Sequence, residues 1–184
     1  MKQRFLVTGA NGHLGSTLLR LLQSHPARPR LSGLLLPGQK PLLKGDIDYV
    51  YGDVRDLHSL LPLFTADSDC DLYVLHTAGV VDISDTRLPL LRAVNVQGTK
   101  NILALCQRYA VKRLLYVSSV HAVPELPQGR VQQEVENFSP DWVYGAYAKS
   151  KAEATQAVLE AARQGLDAVV VQPSGILGPY PKSW

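Results

Sequence analysis

The chain has 184 residues, of which 46% are hydrophobic and 19% are charged. This length suits one α/β domain with a full core, and no apolar run approaches the roughly 20 residues of a membrane-spanning helix. Polar and glycine residues interrupt the apolar N-terminal run almost at once, which argues against a signal peptide. Two cysteines, Cys70 and Cys106, form neither a disulfide framework nor a metal-ligand pattern. A cytoplasmic protein is therefore expected.

The net charge of +3 is unevenly distributed along the sequence. Residues 1–45 contain seven Lys or Arg and no Asp or Glu. Such a basic segment is compatible with nucleic-acid binding or with a phosphate-bearing cofactor. Because the basic residues are scattered and no aromatic stripe lies among them, the cofactor is the better interpretation.

Short apolar runs alternate with helical patterns, which is typical of βαβ units around a parallel sheet. In the first half, the predicted strands are 4–8, 31–36, 48–51 and 71–76. The first predicted helix has apolar residues at helical spacing, namely Leu14, Leu18, Leu19 and Leu22. Asp56 is the predicted N-cap of a second helix.

The same alternation continues in the second half of the sequence. The predicted elements are a helix over about 85–109, a strand over 113–118, a helix over about 141–164 and a strand over 168–171. Gly165 is the expected stop of the second of these helices. Residues 121–140 contain several prolines and polar residues without a clear period, which predicts a functional loop.

A glycine-rich segment follows the first predicted strand. Its glycines, Gly9, Gly12 and Gly15, have the spacing GxxGxxG. Glycine permits a tight turn and lets backbone N–H groups approach a pyrophosphate at a helix N-terminus. Since the segment lies between a strand and an amphipathic helix, it predicts a dinucleotide-binding loop, with a plain turn as the alternative.

Tyr147 and Lys151 are four residues apart in a predicted helix, so the phenol and the ammonium share one face. A neighbouring cation favours the phenolate and is expected to lower the tyrosine pKa from about 10. A tyrosine of this kind can transfer a proton to or from a substrate oxygen during hydride transfer. The spacing alone is common in helices. Tyr144 and Lys149 lack an equivalent partner.

Two hydroxyls, Ser118 and Ser119, end the buried strand that begins at residue 113. Ligands of open α/β sheets bind outside the carboxyl ends of the strands. Each serine is therefore expected either to face a ligand or to cap the strand end.

Seven stretches, in order, resemble the extended (epimerase/dehydratase-like) branch of the short-chain dehydrogenase/reductase superfamily. They read TGANGHLG (8–15), GDVRD (52–56), HTAG (76–79), NVQGT (95–99), YVSS (116–119), YAKSK (147–151) and QPSGILGP (172–179). The resemblance covers nearly the whole chain and implies a Rossmann-type doubly wound parallel sheet with helices on both faces. It also implies an NAD(P)-dependent oxidoreductase, epimerase or dehydratase that acts on a small carbonyl or carbinol substrate.

The resemblance also implies roles for individual residues. Ser119 would hydrogen-bond the substrate oxygen, Tyr147 would act as acid or base, and Lys151 would hold the nicotinamide ribose. Ser118 is the weaker candidate for the substrate contact. Asn95 is expected either to orient the long helix and a proton-relay water or to be a buried helix amide that satisfies backbone groups. The implied cofactor contacts are Gly9, Asn11, Gly12, His13, Leu14, Gly15, Asp53, Val54, Ala78, Gly79, Asn95, Tyr147, Lys151, Pro173 and Ser174.

The histidines His13, His76 and His121 share no spacing with carboxylates that would indicate a metal site, so none is expected. His121 follows Ser119 by two residues and is interpreted as a loop residue, with a substrate contact as the alternative.

The cofactor is predicted to be NAD(P)(H). An NAD-specific site is expected to have Asp or Glu about 20 residues beyond the glycine loop, where this sequence has Leu-Leu-Leu-Pro at 34–37. An NADP site usually has arginine after the second strand. Here there is only Lys40, with Arg28 and Arg30 before the strand. The basic first quarter tilts the expectation toward NADP(H).

Members of this branch usually continue into a smaller substrate domain, which is largely absent from this sequence. The chain is expected to be either a fragment or a complete protein whose pocket lacks a wall. Exposed apolar residues near the end, Leu177, Tyr180 and Trp184, suit a contact edge. An NAD(P)-sensing regulatory module is therefore the alternative to an enzyme, whereas a nucleic-acid binder lacks a recognisable motif. By resemblance alone, helices 85–109 and 141–164 would form a homodimer interface.

Overall fold

The computed structural model describes residues 2–65, 70–82 and 88–178. Six parallel strands form one sheet in the order β3-β2-β1-β4-β5-β6. The strands are β1 (Lys2–Thr8), β2 (Arg30–Leu35), β3 (Asp48–Tyr51), β4 (Cys70–His76), β5 (Arg113–Val117) and β6 (Ala168–Val171). The strand order reverses between β1 and β4, the place where a Rossmann-type sheet opens a crevice for its ligand. This topology confirms the predicted fold class.

Helices cover both faces of the sheet, as predicted. They are α1 (His13–Gln23), α2 (Leu57–Thr65), α3 (Leu88–Leu91), α4 (Thr99–Arg108) and α5 (Ala146–Arg163), with a π-helical turn (Arg92–Gly98) between α3 and α4. Among the helices of the described ranges, none combines the length and the apolar character that crossing a membrane requires.

Successive side chains of each strand point to opposite faces of the sheet, which explains why the sheet has a separate hydrophobic core on each face. Leu6 of β1 packs with α2, α4 and α5 in the larger core, and the next residue, Val7, packs with α1 in a second core. Leu60 of α2 and Leu19 of α1 are fully buried in these two cores. The sheet is therefore a rigid support for the loops at its carboxyl edge.

Two predicted helix signals are confirmed. The Asp56 carboxylate accepts the N–H of His58 at 3.0 Å, as expected of the N-cap of α2. Gly165 has a φ of 105°, so the chain leaves α5 through a conformation that glycine tolerates.

The predicted start of the helix at residue 141 is wrong. Pro140–Trp142 forms a separate 3-10 turn, which Ser139 caps by accepting the N–H of Asp141. Val143 is then extended, and Gly145 has a φ of 84°, so α5 begins only at Ala146. Positive φ at Gly145 interrupts the helical pattern that the sequence shows on both sides of it.

The predicted helix over 85–109 is interrupted by the π-helical turn, and residues 85–87 lie outside the described residues. The predicted loop over 121–140 is confirmed, with short 3-10 turns at Val120–Ala122 and Pro140–Trp142. A third apolar cluster anchors this loop to α5, with Phe138 packed against Ala148 and Ala152.

Candidate functional site

A cleft of about 480 Å³ opens at the carboxyl ends of β1, β2 and β4. Seven of the predicted cofactor contacts line it, namely Gly9, Asn11, Gly12, Asp53, Val54, Ala78 and Gly79. The glycine loop and the ends of three strands therefore meet where the sequence predicted a dinucleotide. Of the remaining predicted contacts, His13, Leu14 and Gly15 begin α1, and the His13 ring lies against Gly178. Asn95 and Lys151 lie beside Gly79. Tyr147 lies in α5, and Pro173 and Ser174 follow β6.

The glycine loop packs so closely that side chains would not fit. Gly9 has a φ of 69°, and a Cβ at this position would lie 3.0 Å from the Ala78 backbone nitrogen. A Cβ on Gly15 would lie 2.2 Å from the carbonyl oxygen of Gly9. Gly12 precedes α1 without a side-chain cap. The N-terminal end of α1 thus offers backbone N–H groups and a positive dipole end to an anion in the cleft.

Two predicted contacts make specific side-chain interactions around the cleft. Asn11 donates to the Lys40 carbonyl at 2.8 Å and accepts the N–H of Leu42 at 2.9 Å, so it ties the loop after β2 to the glycine loop. Asp53 forms a two-pronged ion pair with Arg55, with 2.6 Å between the closest atoms. The hydrogen bond from Arg55 lowers the pKa of Asp53, which is therefore an acceptor in the cleft at neutral pH.

A buried hydrogen-bond chain lies beneath the cleft floor. The N–H of Ala78 donates to the Thr8 hydroxyl at 3.1 Å, and this oxygen lies 2.7 Å from Nδ1 of His76. On the other side of the ring, Nε2 lies 3.1 Å from the Thr99 hydroxyl, which donates to the Asn95 carbonyl at 2.6 Å. Because the Thr99 proton is used there, Nε2 must carry the ring proton and Nδ1 must accept from Thr8. Burial lowers the pKa of His76 to about 3, so the ring is neutral.

His76 is thus a core residue that joins β1 to the π-helical turn. In the described part of the chain, no group of three His, Cys, Asp or Glu side chains is placed to hold a metal ion.

Asn95 holds the far end of the cleft floor. Its side chain accepts the N–H of Val80 at 2.8 Å, donates to the Val80 carbonyl at 2.9 Å and donates to the Ser150 hydroxyl at 3.0 Å. Asn95 is 1% exposed, so the expectation of a buried amide that satisfies backbone groups is confirmed, and the proton-relay water stays a prediction. A Cβ on the neighbouring Gly79 would lie 3.3 Å from Asn95 Oδ1 and 3.5 Å from Lys151 Nζ. Gly79 lines the cleft, so the buried Lys151 lies directly behind a cleft residue that has no side chain.

Ser119, Tyr147 and Lys151 lie at the carboxyl end of β5. The Ser119 hydroxyl accepts the N–H of His121 at 3.2 Å and lies near enough to Tyr147 to lower the pKa of the phenol, and Nζ of Lys151 donates to the Val117 carbonyl at 2.9 Å. The same Nζ lies 5.1 Å from the centroid of the Tyr116 ring. The Ser118 hydroxyl, by contrast, lies 2.6 Å from that of Thr155 in the core. The strand alternation thus separates the two serines, and Ser119 is the one beside the phenol.

The predicted effect of Lys151 on Tyr147 is wrong. Burial raises the pKa of Tyr147, and only the Ser119 hydrogen bond opposes this shift. Burial also lowers the pKa of Lys151 to about 8, and its ammonium is directed to the Val117 carbonyl. A buried amine with a weakened preference for its charge cannot compensate for the desolvation of the phenol.

A second cavity, of about 550 Å³, lies between the loop after β5 and the start of α5. His121 and Ala148 line it, and the His121 ring meets the Tyr147 ring edge-on with 6.2 Å between centroids. Gln172 also lines it, and among the described residues its buried Nε2 has no hydrogen-bond partner. The predicted functional loop therefore borders a cavity next to Tyr147.

The comparisons with known proteins agree with this geometry. The model of the NAD dependent epimerase/dehydratase family matches residues 5–183. The chain belongs to this family. The putative dihydroflavonol 4-reductase of Synechocystis sp. is 34% identical over 98% of this chain and 51% of its own length. Sterol demethylase protein B of Methylococcus capsulatus is 34% identical over 95% of this chain and 52% of its own length.

This epimerase/dehydratase-family chain therefore spans about half the length of the curated relatives it matches. Among solved structures, UDP-glucose 4-epimerase of Thermus thermophilus in complex with NAD superposes with a TM-score of 0.78 at 25% identity. The superposition covers 92% of this chain and 54% of that chain.

The residues of this family member fit a nicotinamide dinucleotide. A Cβ on Gly9 or Gly15 would collide with the backbone of the site, so the loop keeps its close-packed turn only with glycine. The start of α1, which no side chain caps, suits a diphosphate. Sequence reasoning missed Gln39 and Arg55, which also line the cleft, and the core role of His76. The proximity of Arg55 to Asp53 within the GDVRD stretch is the signal that could have revealed their ion pair.

Proposed function

We propose that the chain is an NAD(P)-dependent oxidoreductase that acts at a carbinol or carbonyl carbon, with Tyr147 as its acid or base. The observation that carries the proposal is the grouping of Ser119, Tyr147 and the buried Lys151 at the carboxyl end of β5, where Nζ of Lys151 is held by the Val117 carbonyl. These groups lie between the glycine-loop cleft and the second cavity. This position suits a proton transfer at the junction of cofactor and substrate.

The nicotinamide ring would supply or accept the hydride, and the chain's own residues would handle the proton and the geometry. Ser119 would donate a hydrogen bond to the substrate oxygen, and Tyr147 would transfer its phenolic proton to that oxygen. Lys151 would hold the nicotinamide ribose with Nζ from its position beside Gly79. Lys151 lies beside Gly79 of the glycine-loop cleft, and the Tyr147 ring contacts His121 of the second cavity, so the two groups link the proposed cofactor and substrate positions.

The raised pKa of Tyr147 favours one direction of the reaction. A phenol with a raised pKa carries its proton at neutral pH. It is therefore ready to act as the acid when a carbonyl is reduced, whereas oxidation of an alcohol requires it to lose that proton first. The relatives named as a reductase and as hydroxysteroid dehydrogenases support redox chemistry over epimerisation or dehydration.

Replacing Tyr147 with phenylalanine tests the proposed acid. Turnover of a panel of aldehydes and ketones would be followed by the absorbance of NADH and NADPH. Tyr147→Phe should lower kcat by about 100-fold or more, because the proton donor is lost. Cofactor affinity should change less than about threefold, since the phenol is not the main anchor of the dinucleotide.

Tyr73→Phe is the matched control, because Tyr73 stacks on Phe5 in the sheet and has no contact with Ser119. It should leave kcat unchanged. Retained turnover in Tyr147→Phe would remove Tyr147 from the acid-base role.

An NAD(P)-sensing binding module is the second candidate. Such a module needs only the glycine-loop cleft, which seven of the predicted cofactor contacts line. Saturable cofactor binding with no turnover of any carbonyl substrate would support the sensor. Homodimerisation through α4 and α5 stays a prediction, and sedimentation analysis would test it.

A further inference from the structure

The loop after β2, residues 36–42, borders the cleft where a Rossmann-type site receives the ribose 2′-oxygen of the cofactor. Asn11 fixes this loop beside the glycine loop through its hydrogen bonds to Lys40 and Leu42. The sequence of the loop, LPGQKPL, contains neither a carboxylate nor a guanidinium. It therefore lacks both groups that usually distinguish a 2′-hydroxyl from a 2′-phosphate.

Gln39 is the polar side chain that this loop contributes to the cleft wall. Its Oε1 accepts the N–H of Leu36 at 3.1 Å, which fixes the amide close to the end of β2. Because the oxygen is engaged, the group that the amide offers to a ligand is its NH₂. An NH₂ group can donate equally to a hydroxyl oxygen and to a phosphate oxygen.

The cations of the basic first quarter do not compensate for the missing guanidinium. Arg30 begins β2, so Arg28 and Arg30 lie at the amino edge of the sheet, opposite the cleft. Arg55, which follows the first quarter, also lines the cleft, but the edge of its guanidinium formed by Nε and Nη2 is engaged by both oxygens of Asp53, whose carboxylate balances its charge. Lys40 follows Gln39 and is exposed, so it can screen a phosphate only as a mobile point charge.

We propose that Gln39 contacts the 2′-oxygen through its NH₂ group, and that the chain consequently accepts both NADH and NADPH. The inference rests on the proposed function, because it concerns the same cofactor. A donor amide binds either 2′-substituent without repelling the phosphate. The loop also gives no two-pronged guanidinium bond that would strongly favour the phosphate.

Equilibrium titrations of the 184-residue chain with NADH and with NADPH, followed by nucleotide fluorescence, test the inference. The two dissociation constants should agree within about tenfold. Gln39→Glu keeps an oxygen for the Leu36 N–H and replaces the donor by a carboxylate. It should weaken NADPH binding by at least about tenfold through repulsion of the 2′-phosphate, and change NADH binding by less than about threefold.

Gln107→Glu is the matched control, since it makes the same charge change on α4, where Gln107 contacts Gln164. It should leave the ratio of the two dissociation constants unaltered. A wild-type preference greater than about tenfold, or an unchanged ratio in Gln39→Glu, overturns the inference while the proposed function stands. Saturable binding of neither nucleotide overturns the proposed function itself.

Discussion

The buried Lys151 should reduce the stability of the folded chain at neutral pH. Its side chain is 6% exposed, and burial lowers its pKa from 10.5 to about 8. A depression of this size corresponds to about 3 kcal/mol of unfavourable free energy when the amine is protonated in the folded state. Lys151→Met removes this cost while keeping a side chain of similar length.

The sign of the pH dependence follows from the direction of the shift. Below pH 8 both the folded and the unfolded chain hold the Lys151 proton, so the full cost is present. Between pH 8 and 10.5 the unfolded chain binds more protons than the folded chain, and stability therefore rises with pH. The unfavourable free energy that Lys151 contributes to folding should fall by about 2 kcal/mol between roughly pH 6.5 and 9.5.

Urea unfolding followed by circular dichroism measures this difference. Losing the bond from Nζ to the Val117 carbonyl offsets part of the gain, by about 1 kcal/mol. Lys151→Met should therefore be more stable than wild type by about 2 kcal/mol near pH 6.5, and nearly equal to it near pH 9.5. The exposed Lys149 supplies the control, since Lys149→Met should change stability by less than about 0.5 kcal/mol at both pH values. A Lys151→Met protein that is less stable near pH 6.5, or a difference independent of pH, would refute the reasoning.

Two further predictions concern the glycine loop and the paired serines. Gly15→Ala should destabilise the fold by about 1–3 kcal/mol and weaken NADH binding at least about tenfold, because its Cβ would lie 2.2 Å from the Gly9 carbonyl oxygen. Gly175→Ala, with nothing within 4 Å of the added Cβ, should change neither thermal unfolding nor the titration. Ser118→Ala should cost about 1–2 kcal/mol of stability without altering kcat, since it leaves the buried Thr155 hydroxyl without this partner. Ser119→Ala should instead lower kcat with little loss of stability, and equal effects of the two substitutions in unfolding and rate measurements would contradict their separation.

Apolar periodicity was sufficient to predict the sheet. The bounds of β3 and β6 agree with the prediction, because polar or glycine residues border each short apolar run. The glycine spacing likewise located the turn after β1. The start of α5 was missed because the residues around 141 fit a helical pattern, and the positive φ of Gly145 is set by how the loop packs on α5.

The electrostatics of the site required the folded structure. Four-residue spacing placed Tyr147 and Lys151 on one face, but burial determined the direction of both pKa shifts. Arg28 and Arg30 illustrate the converse case. Because both arginines precede or begin β2 in a parallel sheet, the sequence already places them at the edge opposite the cleft. They should therefore not have counted as evidence for NADP(H).

The central claim is that a nicotinamide dinucleotide binds in the cleft formed by the glycine loop and the ends of β2 and β4. Titration of the ¹⁵N-labelled chain with NADH, followed by the amide resonances, tests it most directly. Saturable shifts are expected at Gly9, Gly12 and Ala78, and none at Gly165, which precedes β6 at the opposite edge of the sheet. Resonances of the glycine loop that stay unchanged at saturating NADH would contradict the claim.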